Sequence, residues 1–572
     1  MSRILLGEND LTLGEVQRVA KGTARASLGT KAAARMRASR EVVLAALAED
    51  HPSYGVNTGF GHLVDVRIPA SQIRELQYNL LRSHSAGVGE PLGPEETRAV
   101  MLLRAHALAR GHSGARPEIV RRLLDMLNAN LLPRIPSQGS VGASGDLAPL
   151  AHLALTLIGE GEILRGGRDG RGGGGVAGGQ GGPGGRSGPG WHRAKNVGGA
   201  AVARRIGRSP RDWRSERFVA ASAALRAAGL RPLRLEAKEG LSLINGTQVT
   251  TAIGVLALLE AEALLTHLDI SGAMSLEALK GSIRPFDERI QRVRPHRGQQ
   301  ASARNLRALL AHSQIMESHR NCGRIQDSYA LRCMPQVHGA GRNAAGHVRE
   351  ILEIEVNSST DNPLVFAERQ ASPQEPATTV GALGLMIPGG NFHGQPVAAA
   401  LDYLALAMTG VASICERRIE RLVNPALSGL PPFLVEDSGL NSGLMMAQVT
   451  AAALVSENKV LSHPASVDSI PTSGNREDHV PMAPIAARKA AQIVANARRI
   501  LAIEVLAAAQ ALDFLAPLRP ARAVEKVHRR IRRELPHMKG DRVLAADIAI
   551  VEELIVSGAL RAAAEEVTGE LE

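Results

Sequence analysis

Apolar residues recur at three- and four-residue spacing over three long stretches, residues 401–422, 444–461 and 485–512. In the last of these, Arg488, Lys489, Arg498 and Arg499 fall between the apolar positions. This period turns one side of a helix toward a core and the other toward polar surroundings, so each stretch predicts a long helix. Residues 251–270 are apolar nearly all round and are broken by Glu260, Glu262, His267 and Asp269. Those charges make the run a buried helix and not a membrane span. A shorter apolar run, 147–158, carries Pro149 in its first turn, where proline is tolerated. Alternation of apolar and polar residues is rare, while alanine and leucine are abundant. The pattern predicts a mainly α protein built on a bundle of long helices, with a more mixed region over the first 110 or so residues.

Two stretches interrupt this pattern. Residues 166–190 are dominated by glycine with Arg, Pro and Ser, and have almost no apolar side chains to bury, so disorder is expected there. Residues 369–388, rich in Pro, Gln, Thr and Gly, read as a surface loop. The 572 residues can bury a large core. The net charge of +11 invites a nucleic-acid reading, but its distribution argues against one. Residues 165–214 hold eleven Arg and Lys against two Asp, and the remainder of the chain is nearly neutral. The glycine-rich segment lacks both a preceding strand and the Lys-Ser/Thr of a phosphate loop. Cys322, Cys333 and Cys415 match no zinc or CxxC spacing and suggest a reduced, cytoplasmic protein.

The candidate chemistry starts at residues 139–151, GSVGASGDLAPLA. Taken alone, Ala143-Ser144-Gly145 is a small-residue turn ahead of a helix, with Asp146 placed to cap it. A serine-hydrolase elbow is excluded, because Gly142 and Gly145 enclose two residues where that motif needs three. Other segments stand out along the chain. Tyr54 lies in a loop with Gly55, Gly59 and Gly61, suited to a mobile lid or simply a glycine-rich turn. His84 follows Ser83, and a lone histidine is more often structural. Asn245 precedes the apolar helix from 249 and reads as a cap or turn residue. Gln326, Tyr329 and Arg332 are spaced to share a helical face. An arginine there can bind a carboxylate through two parallel hydrogen bonds, or form a surface ion pair. Asn391-Phe392-His393-Gly394 precedes another long helix, and residues 472–482 read TSGNREDHVPM. If the helices that follow Gly145, Asn245 and Asn391 meet at their N-termini, they create a positive cavity.

Together, and in this order, these segments resemble the histidine/phenylalanine ammonia-lyase family over nearly the whole chain. The resemblance implies an aspartase/fumarase-like fold with a long central helical bundle. It places a smaller mixed N-terminal domain at 1–112 and the bundle domain at 113–572, interrupted by the insert 165–217 and the loop 369–388. It implies that Ala143, Ser144 and Gly145 cyclise autocatalytically into a methylidene-imidazolone (MIO), with no metal and no dissociable cofactor. Tyr54 is then the candidate base, with a lowered pKa, and Arg332 binds the substrate carboxylate. Asn245, Gln326 and Tyr329 position the reacting groups, and Phe392 packs near the electrophile. His84 and Glu477 face the substrate ring, unless Glu477 instead deprotonates the amine. The pair Ser83-His84 and a carboxylate at 477 point to the histidine-specific members, because a carboxylate partners an imidazole N–H and opposes a bare phenyl ring. The activity implied is L-histidine to trans-urocanate and ammonia, the first step of histidine degradation. The alternatives are a tyrosine or phenylalanine lyase or aminomutase, or a non-catalytic member with a basic binding insert. A homotetramer with shared sites is implied, with neither nucleic acid nor membrane as partner. Arg476 stands where the family usually has Gln, Ser328 where some members have Pro, and the 165–217 insert is longer than expected.

Overall fold

The computed structural model describes residues 2–49, 54–164, 218–367, 378–380 and 384–572. The insert 165–217 and its expected disorder lie outside these residues. Ser2–Leu6 and Ala24–Leu28 pair in parallel near the N-terminus. The helices that matter for function are α1 (Ile73–His84), α2 (Pro94–Ala109), α3 (Leu147–Leu157), α4 (Gln248–Ala278), α5 (Tyr329–Arg332), α6 (Met334–Val356), α7 (Gln395–Val423), α8 (Met445–Leu461) and α9 (Ala483–Asp513). The fold is mainly α, as the periodicity predicts. The N-terminal region holds more helix than expected, including the 19-residue helix Thr30–Ala48. The stretch read as a loop contributes two short strands, Thr378–Val380 and Gly384–Ile387, which join Leu364–Phe366 in an antiparallel sheet.

The 31-residue α4 spans about 46 Å at the helical rise. Its residues are buried around most of the circumference, so it forms the axis of the body. α9 packs along α4 and α7, and α6 along α4 and α7. Small side chains let these axes approach closely: Ala486, Ala487, Ala490, Ala502 and Ala507–Ala509 of α9 are all buried. α4 and α7 are long and apolar enough to cross a membrane, but both are mostly buried inside the body. One apolar core extends from Ile4 to Leu571.

A polar network crosses the centre of this core and fixes the register of four helices. Arg418 of α7 donates to Glu504 of α9 through Nε (2.5 Å) and Nη2 (2.9 Å). Both side chains are fully buried. The hydroxyls of Ser271 and Ser275 on α4 donate to the same carboxylate at 3.1 and 2.8 Å. Asp269, one turn earlier on α4, meets His338 (2.8 Å) and Arg342 (2.6 Å) of α6. Burial pushes the Asp269 carboxyl up, but Arg342 and His338 outweigh it and hold the group below its ordinary range. Sliding any one helix would strand a buried charge.

Removing one partner of a buried ion pair costs more than replacing both. We expect Arg418→Met to destabilise the fold by about 3–5 kcal/mol in urea unfolding, and Arg418→Met/Glu504→Leu to recover most of that loss. Single and double variants of equal stability would show that the pair does not hold the bundle.

Candidate active site

The turn at 142–146 is shaped by glycine. Gly142 and Gly145 have φ of +77° and +73°, in the left-handed region where a side chain is strained. A Cβ on Gly145 would lie 2.4 Å from the Gly246 amide nitrogen. The N–H of Asp146 donates to the Gly246 carbonyl at 2.7 Å, which joins the start of α3 to the start of α4. The N–H of Gly394, just before α7, donates to the Gly142 carbonyl at 3.0 Å. A Cβ on Gly142 would come within 2.8 Å of the Ala483 side chain, at the start of α9. The N-termini of α3, α4, α7 and α9 thus meet around Ala143-Ser144-Gly145. Their aligned dipoles make this a region of positive potential.

Asp146 corrects a sequence expectation. It sits at the N-cap position of α3, but its side chain makes no cap hydrogen bond there. Its carboxylate instead accepts from the Thr250 N–H (2.8 Å) and hydroxyl (2.9 Å), so it caps α4. Burial pushes its pKa up to about 6, against the lowering effect of those hydrogen bonds.

The Ser144 hydroxyl donates to Oε1 of Glu477 at 2.5 Å, and the Thr472 hydroxyl donates to Oε2 at 2.5 Å. Asn245 ends the short helix Glu239–Ile244 in an extended conformation and does not cap α4. It is 2% exposed, and its Oδ1 has no hydrogen-bond partner among the described residues. Phe392 lies half-buried in the turn ahead of Gly394. Tyr54 meets Phe60 edge-on at 6.0 Å. The expected lowering of its pKa is not found. Burial pushes the phenol up, the Gly61 backbone hydrogen bond opposes this, and the charges of Glu477 and Asp361 add to the rise. His84 ends α1, with Nδ1 3.1 Å from the Ser83 hydroxyl. Burial pushes its pKa down, while a backbone hydrogen bond at Leu80 and the charge of Glu477 work the other way. Tyr54 and His84 therefore both lie within electrostatic reach of Glu477.

Gln326, Tyr329 and Arg332 are elsewhere. They gather at the C-terminal end of α4, where Arg324 donates to the Leu279 carbonyl at 3.2 Å and the Ser282 N–H donates to Asp327 at 2.6 Å. The length of α4, about 46 Å, separates them from Ser144 within one chain. The helical face expected to hold all three is shorter than predicted. Helix α5 begins at Tyr329, and Gln326 precedes it in irregular chain. The Arg332 guanidinium stacks 4.6 Å from the Tyr329 ring centre, and its buried Nε has no partner among the described residues. A cavity of about 970 Å³ opens here, lined by Lys280, Arg284, His319, Arg324, Gln326 and Arg332 among others.

Sequence reasoning missed Arg104, which is 1% exposed and reaches the turn at Asn245. The signal was available: a single arginine inside the apolar run MLLRAHALA.

A backbone turn held by glycines lies at the meeting point of four helix N-termini. The protein belongs to the aromatic amino acid lyase family, whose profile, "Aromatic amino acid lyase", matches residues 11–533. The histidine ammonia-lyase of Koribacter versatilis is 51% identical over 99% of this chain and all of its own length. That of Symbiobacterium thermophilum is 49% identical over the full length of both chains. Among solved structures, histidine ammonia-lyase from Trypanosoma cruzi superposes with a TM-score of 0.82 at 41% identity, covering 99% of this chain and 96% of its own. Tyrosine aminomutase from Streptomyces globisporus gives 0.84 at 35% identity over the whole of both chains.

Asp146 also makes stability depend on pH. Its folded pKa, about 6, lies above the unfolded value of 3.8, so the folded state holds its proton more tightly. The stabilising effect of that proton is complete below the unfolded value and is lost as pH rises through 6. Asp146→Asn carries no such titration. Its stability relative to the unaltered protein should therefore rise between pH 4 and pH 8, by about 2 kcal/mol. A difference that stays constant across that range would show that the carboxyl is not raised.

Proposed function

We propose that the protein is a histidine ammonia-lyase that converts L-histidine to trans-urocanate and ammonia, using an MIO formed from Ala143, Ser144 and Gly145. The observation that carries this reading is the turn itself. Gly145 is pressed against Gly246 with no room for a side chain, and the Ser144 hydroxyl is held by Glu477. These residues fit the group: a bent backbone, a small residue on either side of the serine, and buried Asn245, whose amide oxygen has no partner among the described residues, next in sequence to Gly246. Once formed, MIO supplies an electrophile that turns the substrate amino group into a leaving group.

The other roles fall to side chains. Tyr54 takes the β-proton, Arg332 holds the carboxylate in its fork, and Asn245, Gln326 and Tyr329 orient the reacting groups. Phe392 packs beside the electrophile. His84 and Glu477 face the imidazole, which favours histidine over an apolar ring. No dissociable cofactor enters this scheme.

A single chain holds the two halves of this site at opposite ends of α4, so the reading requires more than one copy, a homotetramer with shared sites. Exposed apolar side chains on the bundle support such assembly: Met446 and Val460 of α8 are 60% and 70% exposed, and Tyr403 and Leu406 of α7 are also exposed. Free Cys322, Cys333 and Cys415 suit a reducing cytoplasm.

Two experiments test this. The purified enzyme should release the ultraviolet-absorbing product from L-histidine and much less from tyrosine or phenylalanine. Glu477→Gln should cost histidine turnover far more than turnover of an apolar substrate such as phenylalanine. A preference for tyrosine, or formation of a β-amino acid, would favour the aminomutase reading. For the shared site, Ser144→Ala and Arg332→Met should each be nearly inactive when expressed alone. Co-expressed, they should regain a sizeable part of the activity, because some mixed sites draw both intact halves from different copies. Absence of any recovery in confirmed mixed oligomers would place both halves in one chain.

A further inference from the structure

Arg104 lies in the middle of α2, where every residue from Ala99 to Ala109 is buried. Its guanidinium makes no ion pair among the described residues. The carboxylate whose charge it feels most, Asp361, is already held by the Lys238 ammonium at 2.8 Å. All its acceptors are neutral and lie on one short connection. Nη1 donates to the Asn245 carbonyl at 2.7 Å and to Oε1 of Gln248 at 2.6 Å, and Nη2 donates to the Ser242 carbonyl. The Gln248 amide is braced in turn by the Thr360 hydroxyl at 2.8 Å. A Cβ on Gly246 would stand 2.7 Å from Nη1 and, on the other side of the same turn, Gly246 presses on Gly145. The turn is therefore clamped between a buried cation and the tripeptide.

We propose that Arg104 is a positioning residue for MIO formation and for the amide of Asn245. This rests on the reading of the site given above. Its fork holds the Asn245–Gly246 turn against Gly145, which keeps the Gly145 nitrogen bent toward the Ala143 carbonyl carbon. In the cyclisation a bond forms between those two atoms. The Ala143 oxygen leaves as water with the amide protons of Gly145 and Ser144. A second water carries off the Ser144 hydroxyl and its Cα proton. No oxidant or reductant is needed. A lysine cannot replace the fork, because a point charge does not span three acceptors. Burial draws the Arg104 pKa down to about 10, so the group is still a cation at neutral pH. A buried cation without a carboxylate partner is costly, and a functional demand on this turn accounts for keeping it.

The test uses the full-length enzyme and its Arg104→Met and Arg104→Lys variants. Peptide mass spectrometry reads the fraction of the 143–145 segment that has lost two waters. Steady-state kinetics reads kcat and KM separately, and thermal unfolding reads the fold. In Arg104→Met we expect a dehydrated fraction well below that of the unaltered enzyme. Per dehydrated chain, kcat should fall roughly tenfold or more with little change in KM. Arg104→Lys should restore part of both. A folded Arg104→Met that dehydrates fully and turns over normally overturns the proposal. So does a loss that merely follows a lowered unfolding temperature. Where Arg104→Met does not fold, Arg104→Lys decides: incomplete dehydration supports the role, and complete dehydration with unaltered kcat removes it. The unaltered enzyme separates the two readings. If its own segment retains both waters, the MIO assignment falls along with this one. If it is dehydrated and both variants are dehydrated too, with unaltered kcat, Arg104 alone loses its role.

Discussion

Gly145 and Gly246 touch backbone to backbone, and a Cβ on Gly145 would lie 2.4 Å from the Gly246 nitrogen. Two chain segments a hundred residues apart can approach this closely because neither carries a side chain at the contact. The approach brings the N-termini of α3 and α4 together, and the Asp146–Thr250 hydrogen bonds then tie them. α7 and α9 are added through Gly394 and Ala483. Four helix N-termini face one small volume as a result. A side chain at either glycine would separate the helices and weaken the positive potential at the same time, so geometry and electrostatics rest on one steric condition.

The bundle makes that condition durable. The Arg418–Glu504 pair and the Asp269 cluster set the helix register along the C-terminal half of α4. Register errors would move a helix by whole residues, and at 1.5 Å per residue a single slip would open the Gly145–Gly246 contact. Buried charges are an expensive way to stabilise a core but a strict way to align one.

Much of this was legible in the chain. The long helices follow from their apolar spacing, and the small residues at 142–146 mark a turn that a bulky residue could not make. What could not be read depends on distant partners. Asp146 looked like the cap of its own helix, but its acceptors are used by Thr250, which no local pattern reveals. Gln326 had helical spacing from Tyr329, yet the chain there is irregular, with Asp327 drawn to the Ser282 N–H. The phenol of Tyr54 was expected to be acidic beside positive helix ends. Burial and the neighbouring carboxylates of Glu477 and Asp361 carry it the other way. Arg104 was visible as a charge in an apolar run, but its target, the Asn245 turn, lies 141 residues on.

The raised Tyr54 phenol also bears on the division of the site proposed above. At the N-terminal end of α4, burial and then the charges of Glu477 and Asp361 hinder ionisation of the Tyr54 phenol. The C-terminal end gathers Lys280, Arg284, Arg324 and Arg332 around an open cavity. Cations suit that end, because the carbonyls of a helix C-terminus carry partial negative charge. Each end is thus electrostatically reasonable as half of a site and poor as a whole one. In the proposed assembly, the cationic C-terminal end of one α4 would lie against Tyr54 and Glu477 of another copy. The Arg332 guanidinium would then offset the charge of Glu477 and favour the ionised phenol that a base requires. On this argument the chemistry of Tyr54 depends on assembly, because the charge that would lower its pKa belongs to a different copy of the chain.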